Sequence, residues 1–210
     1  MIPQPEAQSV VFVVDDDASV REGMRLLLRS VGLQAQVFAS AAEFLQGNLA
    51  DVPCCLVLDV RLPGLSGLDF QTELANANIQ IPIVFMTGHG DIPMTVKAMK
   101  AGAIEFLPKP FRDQDMLDAV RLGLERDRGR REGERAISEV RGKFASLTPR
   151  EQEVMGFVTT GLMNKQIAGE MQLAEITVKL HRGSVMRKMD AKSLAELVRM
   201  ADIVGIRKRM

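Results

Sequence analysis

The sequence has few residues suited to redox, metal-thiolate or histidine chemistry: two cysteines and two histidines in 210 residues. Cys54 and Cys55 are neighbours inside an apolar run. Neighbours on a strand point to opposite faces, so the pair is poorly placed for a disulfide or a metal clamp and reads as small core residues. The histidines, His89 and His181, fall in different halves of the chain. Histidine-based catalysis is therefore poorly supplied, and His89 reads as a loop residue. No stretch approaches the ~18 apolar residues of a membrane span. Met1–Gln8 is polar, with two prolines, and lacks the basic and apolar regions of a secretory leader. The expectation is a cytoplasmic protein with no membrane partner. Internal repeats and low-complexity segments are also lacking.

Net charge is zero, but unevenly distributed. Residues 1–125 hold 9 Lys+Arg against 16 Asp+Glu, and residues 126–210 hold 18 against 11. An acidic half joined to a basic half suggests two tasks, the basic half meeting a polyanion.

In the first half, short apolar runs alternate with amphipathic stretches. Val10–Val14, Cys54–Leu58 and Ile81–Met86 read as buried strands, and Gln34–Phe38 and Glu105–Leu107 complete a set of five. Helices are expected near 18–30, 41–48, 66–77, 92–101 and 113–126, with Ser40 to Glu43 as a capping box and Gly32 as a stop. This alternation implies a parallel, doubly wound, flavodoxin-like sheet with helices on both faces. Residues 126–144 are rich in arginine and acids, carry Gly129 and Gly133, and read as a solvated helical linker. Residues 145–210 read as an all-α domain of four helices. Thr148-Pro149-Arg150-Glu151 starts the first, Asn164 caps the second to about Met171, the third runs from about Ala174 to Met189, and the fourth runs from Ser193 to about Val204.

In a parallel sheet all strands end on one edge, where chemistry collects. Asp15, Asp16 and Asp17 follow the first strand and Asp59 ends the third. Crowded carboxylates repel unless a cation neutralises them, and an oxygen-only ligand set suits Mg²⁺. Thr87 adds a hydroxyl and Lys109 an ammonium from two further strand ends. A nucleophile, a metal and two donors form the equipment for holding an acyl phosphate.

Val13-Val14-Asp15-Asp16-Asp17, Leu58-Asp59-Val60-Arg61-Leu62-Pro63-Gly64, Met86-Thr87-Gly88-His89-Gly90 and Lys109-Pro110-Phe111 resemble, in order and spacing, the receiver domains of two-component response regulators, most of all the FixJ-like branch. The resemblance implies a receiver at 1–125 in which Asp59 accepts a phosphoryl group from a sensor histidine kinase in a phosphorelay. It implies Mg²⁺ held by Asp15, Asp16, Asp59 and the Arg61 carbonyl. Thr87 and Phe106 would form a switch pair in which Phe106 turns inward, and Lys109 would contact the phosphoryl oxygens. A cis peptide before Pro110 is also implied.

In the basic half, two short helices separated by a tight turn match a helix-turn-helix. On the second, Val178, Val185 and Met189 share a face, and the opposite face carries Lys179, Leu180, Gly183, Ser184 and Arg187, suited to a major groove. Lys165, Thr177, Arg182 and Lys188 flank it, placed for phosphates. Leu147 to Glu151, Asn164 to Ala168 and Thr177 to Arg182 resemble the LuxR-type DNA-binding domain. Ala174 stands where that family usually has a capping serine, so this helix start is expected to be weakly capped. Together the resemblances imply a phosphorylation-controlled regulator, an activator that pairs as a homodimer through its receiver, binds promoter DNA and meets RNA polymerase. A phosphatase or phosphotransferase using an aspartyl phosphate is the competing reading, disfavoured because Arg61 stands where a second aspartate would be needed. A regulator with a merely structural receiver is a third.

Overall fold

The computed structural model describes residues 9–47, 51–88 and 92–206. Met1–Gln8, residue 48 at the end of the expected second helix, His89 and the chain beyond Ile206 lie outside the described residues. The chain divides into two units, Met1–Arg131 and Glu132–Met210.

In the first unit, β1 (Val10–Val14), β2 (Gln34–Phe38), β3 (Cys54–Asp59), β4 (Ile83–Thr87) and β5 (Glu105–Pro108) form one parallel sheet in the order β2-β1-β3-β4-β5. This is the flavodoxin-like order. The strand at 81–86 starts two residues later than its apolar run, because Pro82 has no N–H to give the ladder; the Pro82 carbonyl instead accepts from Leu56 N–H at 2.9 Å. The helices are α1 (Ala18–Ser30), α2 (Ala41–Gln46), α3 (Gly67–Asn76), α4 (Ile92–Lys100) and α5 (Asp113–Ala145). Alternate strand residues fill two cores. Phe12, Leu56, Leu58 and Phe85 pack on one face around Phe44 and Phe70, whose rings meet edge-on at 5.8 Å. Val11, Val57, Val84 and Met86 pack on the other with Leu28, Met116 and Val120. Cys54 belongs to the first core and Cys55 to the second.

α5 extends to Ala145 as a single helical element, and the boundary between the units falls within it. Its start beyond residue 126 is not a solvated spacer. Asp127 is fully buried and accepts from Cys54 N–H at 2.9 Å, from Arg130 Nη2 at 2.6 Å and from Arg131 Nε at 2.6 Å. These bonds hold its carboxyl below the ordinary range although burial alone would push it up. Burial, then the Asp127 charge, pushes the Cys54 thiol up to about 11.

The second unit contains α6 (Pro149–Val158), α7 (Asn164–Met171), α8 (Glu175–Lys188) and α9 (Leu194–Val204) around Val154, Ile167, Val178, Val185, Met189 and Leu197. Thr148 and Glu151 form the expected capping box. Ala174 caps α8 with no side-chain hydrogen bond. Asn164 is the first residue of its helix rather than the cap; Met163 N–H donates to Gln166 Oε1 at 2.8 Å, and Asn164 Oδ1 accepts from Arg182.

Candidate functional site

Parallel pairing brings the ends of β1, β3, β4 and β5 to one edge. Asp15, just past β1, is fully buried; Asp59, the last residue of β3, is nearly so; Asp16 is exposed. One carboxylate oxygen from each lies within 4.8 Å of the others, a spacing that could hold a metal ion. The fit rests on hard oxygen donors converging from two strand ends, the chemistry that Mg²⁺ selects. Asp17 plays a different part: it caps α1, accepting from Ser19 N–H at 2.7 Å and Ser19 Oγ at 2.6 Å, which holds its carboxyl low.

Lys109 follows β5 and reaches across the sheet end. Its Nζ donates to Asp15 Oδ2 at 2.6 Å and to Asp59 Oδ2 at 3.4 Å. Burial pulls the ammonium down, but the two carboxylates outweigh it and hold it above its ordinary value. Burial raises the Asp59 carboxyl; Lys109 opposes this and Asp15 adds to it. Arg61 N–H turns back to Asp59 Oδ1 at 3.4 Å, its side chain points outward, and the residue bridges to Ser66. Thr87, the last residue of β4, is fully buried, and its carbonyl accepts from Lys109 N–H at 2.7 Å. The Lys109–Pro110 peptide is cis. Phe106 is 8% exposed, its ring 6.0 Å from that of Phe85.

Gly67 was missed from sequence. Its N–H donates to the Val60 carbonyl at 2.8 Å, and a Cβ there would stand 2.3 Å from the Asp59 carbonyl oxygen. Only a residue without a side chain lets α3 begin so close to the end of β3. The Pro63-Gly64-Leu65-Ser66-Gly67 run carried the signal, since Ser66 caps α3.

In the second unit, α7 and α8 form the expected helix-turn-helix pair. Lys165, Lys179, Leu180, Gly183 and Arg187 are exposed, and Thr177 is half-buried. Three expected groove or phosphate residues turn elsewhere. Ser184 Oγ donates to Glu151 Oε1 at 2.5 Å, and Lys188 Nζ donates to Glu151 Oε2 at 2.6 Å. Arg182 Nη1 donates to Asn164 Oδ1 at 3.2 Å. The helix wheel of α8 alone could not show this, because the acceptors sit on α6 and α7. The Lys188 and Ser184 bonds with that of Thr148 N–H bring the Glu151 carboxyl down to about 2.

Comparison with known proteins bears on both units. Residues 11–121 match the response regulator receiver domain, and residues 145–201 match the bacterial regulatory proteins of the luxR family. Nodulation protein W of Bradyrhizobium diazoefficiens is 61% identical over 203 residues, 97% of this chain and 89% of that protein. Transcriptional regulatory protein FixJ of Azorhizobium caulinodans is 45% identical, with 93% of each chain covered. Among solved structures, the response regulator StyR is 52% identical with a TM-score of 0.86, covering 93% of this chain and 99% of that one. Full-length FixJ from B. japonicum is 37% identical with a TM-score of 0.57, covering 98% and 100%. A receiver implies a histidine kinase as partner, and a LuxR-type domain implies DNA. The chain belongs to the FixJ-like two-component response regulators, transcription regulators that join a receiver domain to a LuxR-type DNA-binding domain.

Proposed function

We propose that Asp59 is the phosphoacceptor and that its phosphorylation controls pairing and promoter binding. The supporting observation is the buried Asp59 carboxylate at a strand end, with Asp15 and Asp16 beside it and the Lys109 ammonium 3.4 Å away. A carboxylate oxygen of Asp59 attacks phosphorus of the kinase phosphohistidine. The new P–O bond forms as the P–N bond breaks, and the electron pair leaves with the imidazole nitrogen, which takes a proton. Mg²⁺, held by Asp15, Asp16, Asp59 and the Arg61 carbonyl, would neutralise the crowded carboxylates and the phosphoryl oxygens. Lys109 moves its hydrogen bond from Asp59 to a phosphoryl oxygen, and Thr87 supplies a hydroxyl to another.

Phosphorylation adds roughly 1.5 to 2 negative charges at the pocket. The response reaches α4, β5 and α5, where Ile92, Val96, Met99 and Leu122 are exposed. Those apolar side chains favour a two-fold homodimer through this surface. The paired DNA-binding units then occupy two half-sites on promoter DNA, about one helical turn apart, and activate transcription with RNA polymerase. Lys179 and Arg187 would reach base edges, and Lys165 and Thr177 phosphates.

A Mg²⁺-dependent small phosphodonor should label the wild type and leave Asp59→Asn unlabelled, while Asp16→Ala should lose metal affinity and labelling together. Equal labelling of wild type and Asp59→Asn overturns the assignment. Sedimentation with and without phosphodonor tests the pairing, and identical masses count against it.

A further inference from the structure

α8 is held inward by Val178 and Val185, both fully buried. With 3.6 residues per turn, the line diametrically opposite them passes through Ile176, Leu180, Gly183 and Arg187. The structure agrees: Ile176 is 63% exposed, Leu180 is 69% exposed, and Gly183 and Arg187 are exposed. A Cβ at Gly183 would meet nothing within 4 Å. Three of the flanking polar residues are turned aside, Arg182 to Asn164 of α7 and Ser184 and Lys188 to Glu151 of α6. The outermost face of the basic helix is thus aliphatic over its first two turns, bare at Gly183, and cationic only at Arg187.

Two large aliphatic side chains four residues apart, on a helix that seats its other aliphatics in the core, call for an apolar partner. In the major groove the apolar feature of a base pair is the thymine C5-methyl. We infer that Ile176 and Leu180 are specificity-determining residues that read thymine methyl groups in each half-site. This rests on the reading of α8 as the groove helix. Side chains at i and i+4 stand about 5–6 Å apart, and successive bases about 3.4 Å, so the two residues address methyls one to two base steps apart. Gly183 lets the helix lie close enough for that contact, since a side chain there would hold the groove floor away. Arg187 and Lys179 supply the charge that seats the helix, which suits a polyanionic partner better than an apolar protein surface.

The test removes the methyl without touching the protein. Duplexes selected from a random-sequence pool by the full chain are resynthesised with deoxyuridine for each thymine in turn. At one or two positions per half-site the substitution should weaken binding about fourfold per methyl, the size expected for one buried CH₂-sized group. Leu180→Ala, or Ile176→Ala at the other position, should weaken binding of the thymine duplex by at least as much and become indifferent to that deoxyuridine. Because both residues are exposed, these variants should unfold at the wild-type temperature. The inference is overturned if deoxyuridine is tolerated everywhere, if the variants keep full sensitivity to it, or if Leu180→Ala alters the sedimentation mass but not DNA affinity, which would make the patch a protein contact. Failure of the underlying reading looks different: the chain then selects no sequence, and Arg187→Ala leaves affinity unchanged.

Discussion

Lys188 Nζ lies 2.6 Å from Glu151 Oε2, a contact between α8 and α6. Lys188 thereby serves the fold of its unit before it serves a ligand. Lys188→Met should destabilise the second unit by about 1–3 kcal/mol, the cost of leaving a largely buried carboxylate short of a donor. Lys165→Ala, at an exposed position, should leave stability unchanged and flatten the salt dependence of DNA binding by about one unit. Urea unfolding together with binding isotherms over a salt series separates the two, and a Lys188 variant of wild-type stability would contradict the first expectation.

The same carboxylate sets a pH dependence. Glu151 titrates near 4.5 when unconstrained and at about 2 in the fold. Its ionised form therefore favours the folded state at pH values above 4.5, and this contribution is lost as pH falls from there toward 2. Hydrogen exchange of the α6 and α8 amides should show wild type better protected than Glu151→Gln at pH 6, with the gap closing on acidification. A gap that stays constant down to pH about 2 would contradict it.

Asp127 ties the extended part of α5 to β3. Asp127→Ala leaves Cys54 N–H without its acceptor and two arginines without their shared partner. A loss of about 1–3 kcal/mol in the receiver unit is expected by urea unfolding. The Cys54 thiol, held up to about 11 by burial and by that carboxylate, should react faster with an aromatic disulfide reagent at pH 8 in the variant than in the wild type. Unchanged reactivity would mean that the neighbouring packing alone protects the thiol.

Two glycines should respond oppositely to alanine. Gly67→Ala forces a Cβ against the Asp59 carbonyl, so α3 or the end of β3 must shift. A cost of about 1–3 kcal/mol and slower labelling of Asp59 are expected. Gly183→Ala meets nothing within 4 Å and should stabilise α8 by about 0.5–1 kcal/mol. Thermal unfolding of both variants beside wild type checks the contrast.

The receiver was legible because its signals are local. The all-apolar runs of β1 and β3 end directly in aspartates, and parallel pairing then fixes which edge those aspartates share. What sequence concealed depends on partners distant along the chain. Asp127 stands among arginines and reads as one more solvated charge, since its acceptor role toward Cys54 spans 73 residues. A wheel of α8 puts Ser184 on the open face and Lys188 beside it, and nothing in that helix reveals that Glu151 of α6 claims both. Gly129 and Gly133 suggested weakness in a stretch that forms part of α5, because propensity is a weak prior beside a buried ionic anchor upstream.

β3 carries the candidate phosphoacceptor at its last residue and the α5 anchor at its first, five residues or about 17 Å apart. A strand paired on both sides neither stretches nor slides, since a slip of one residue would exchange its two core faces. Charge added at Asp59 therefore has no route to Asp127 along β3 itself. The strand behaves as a datum line, fixed at both ends, and a displacement arising at Asp59 would pass sideways into a paired neighbour, β1 or β4.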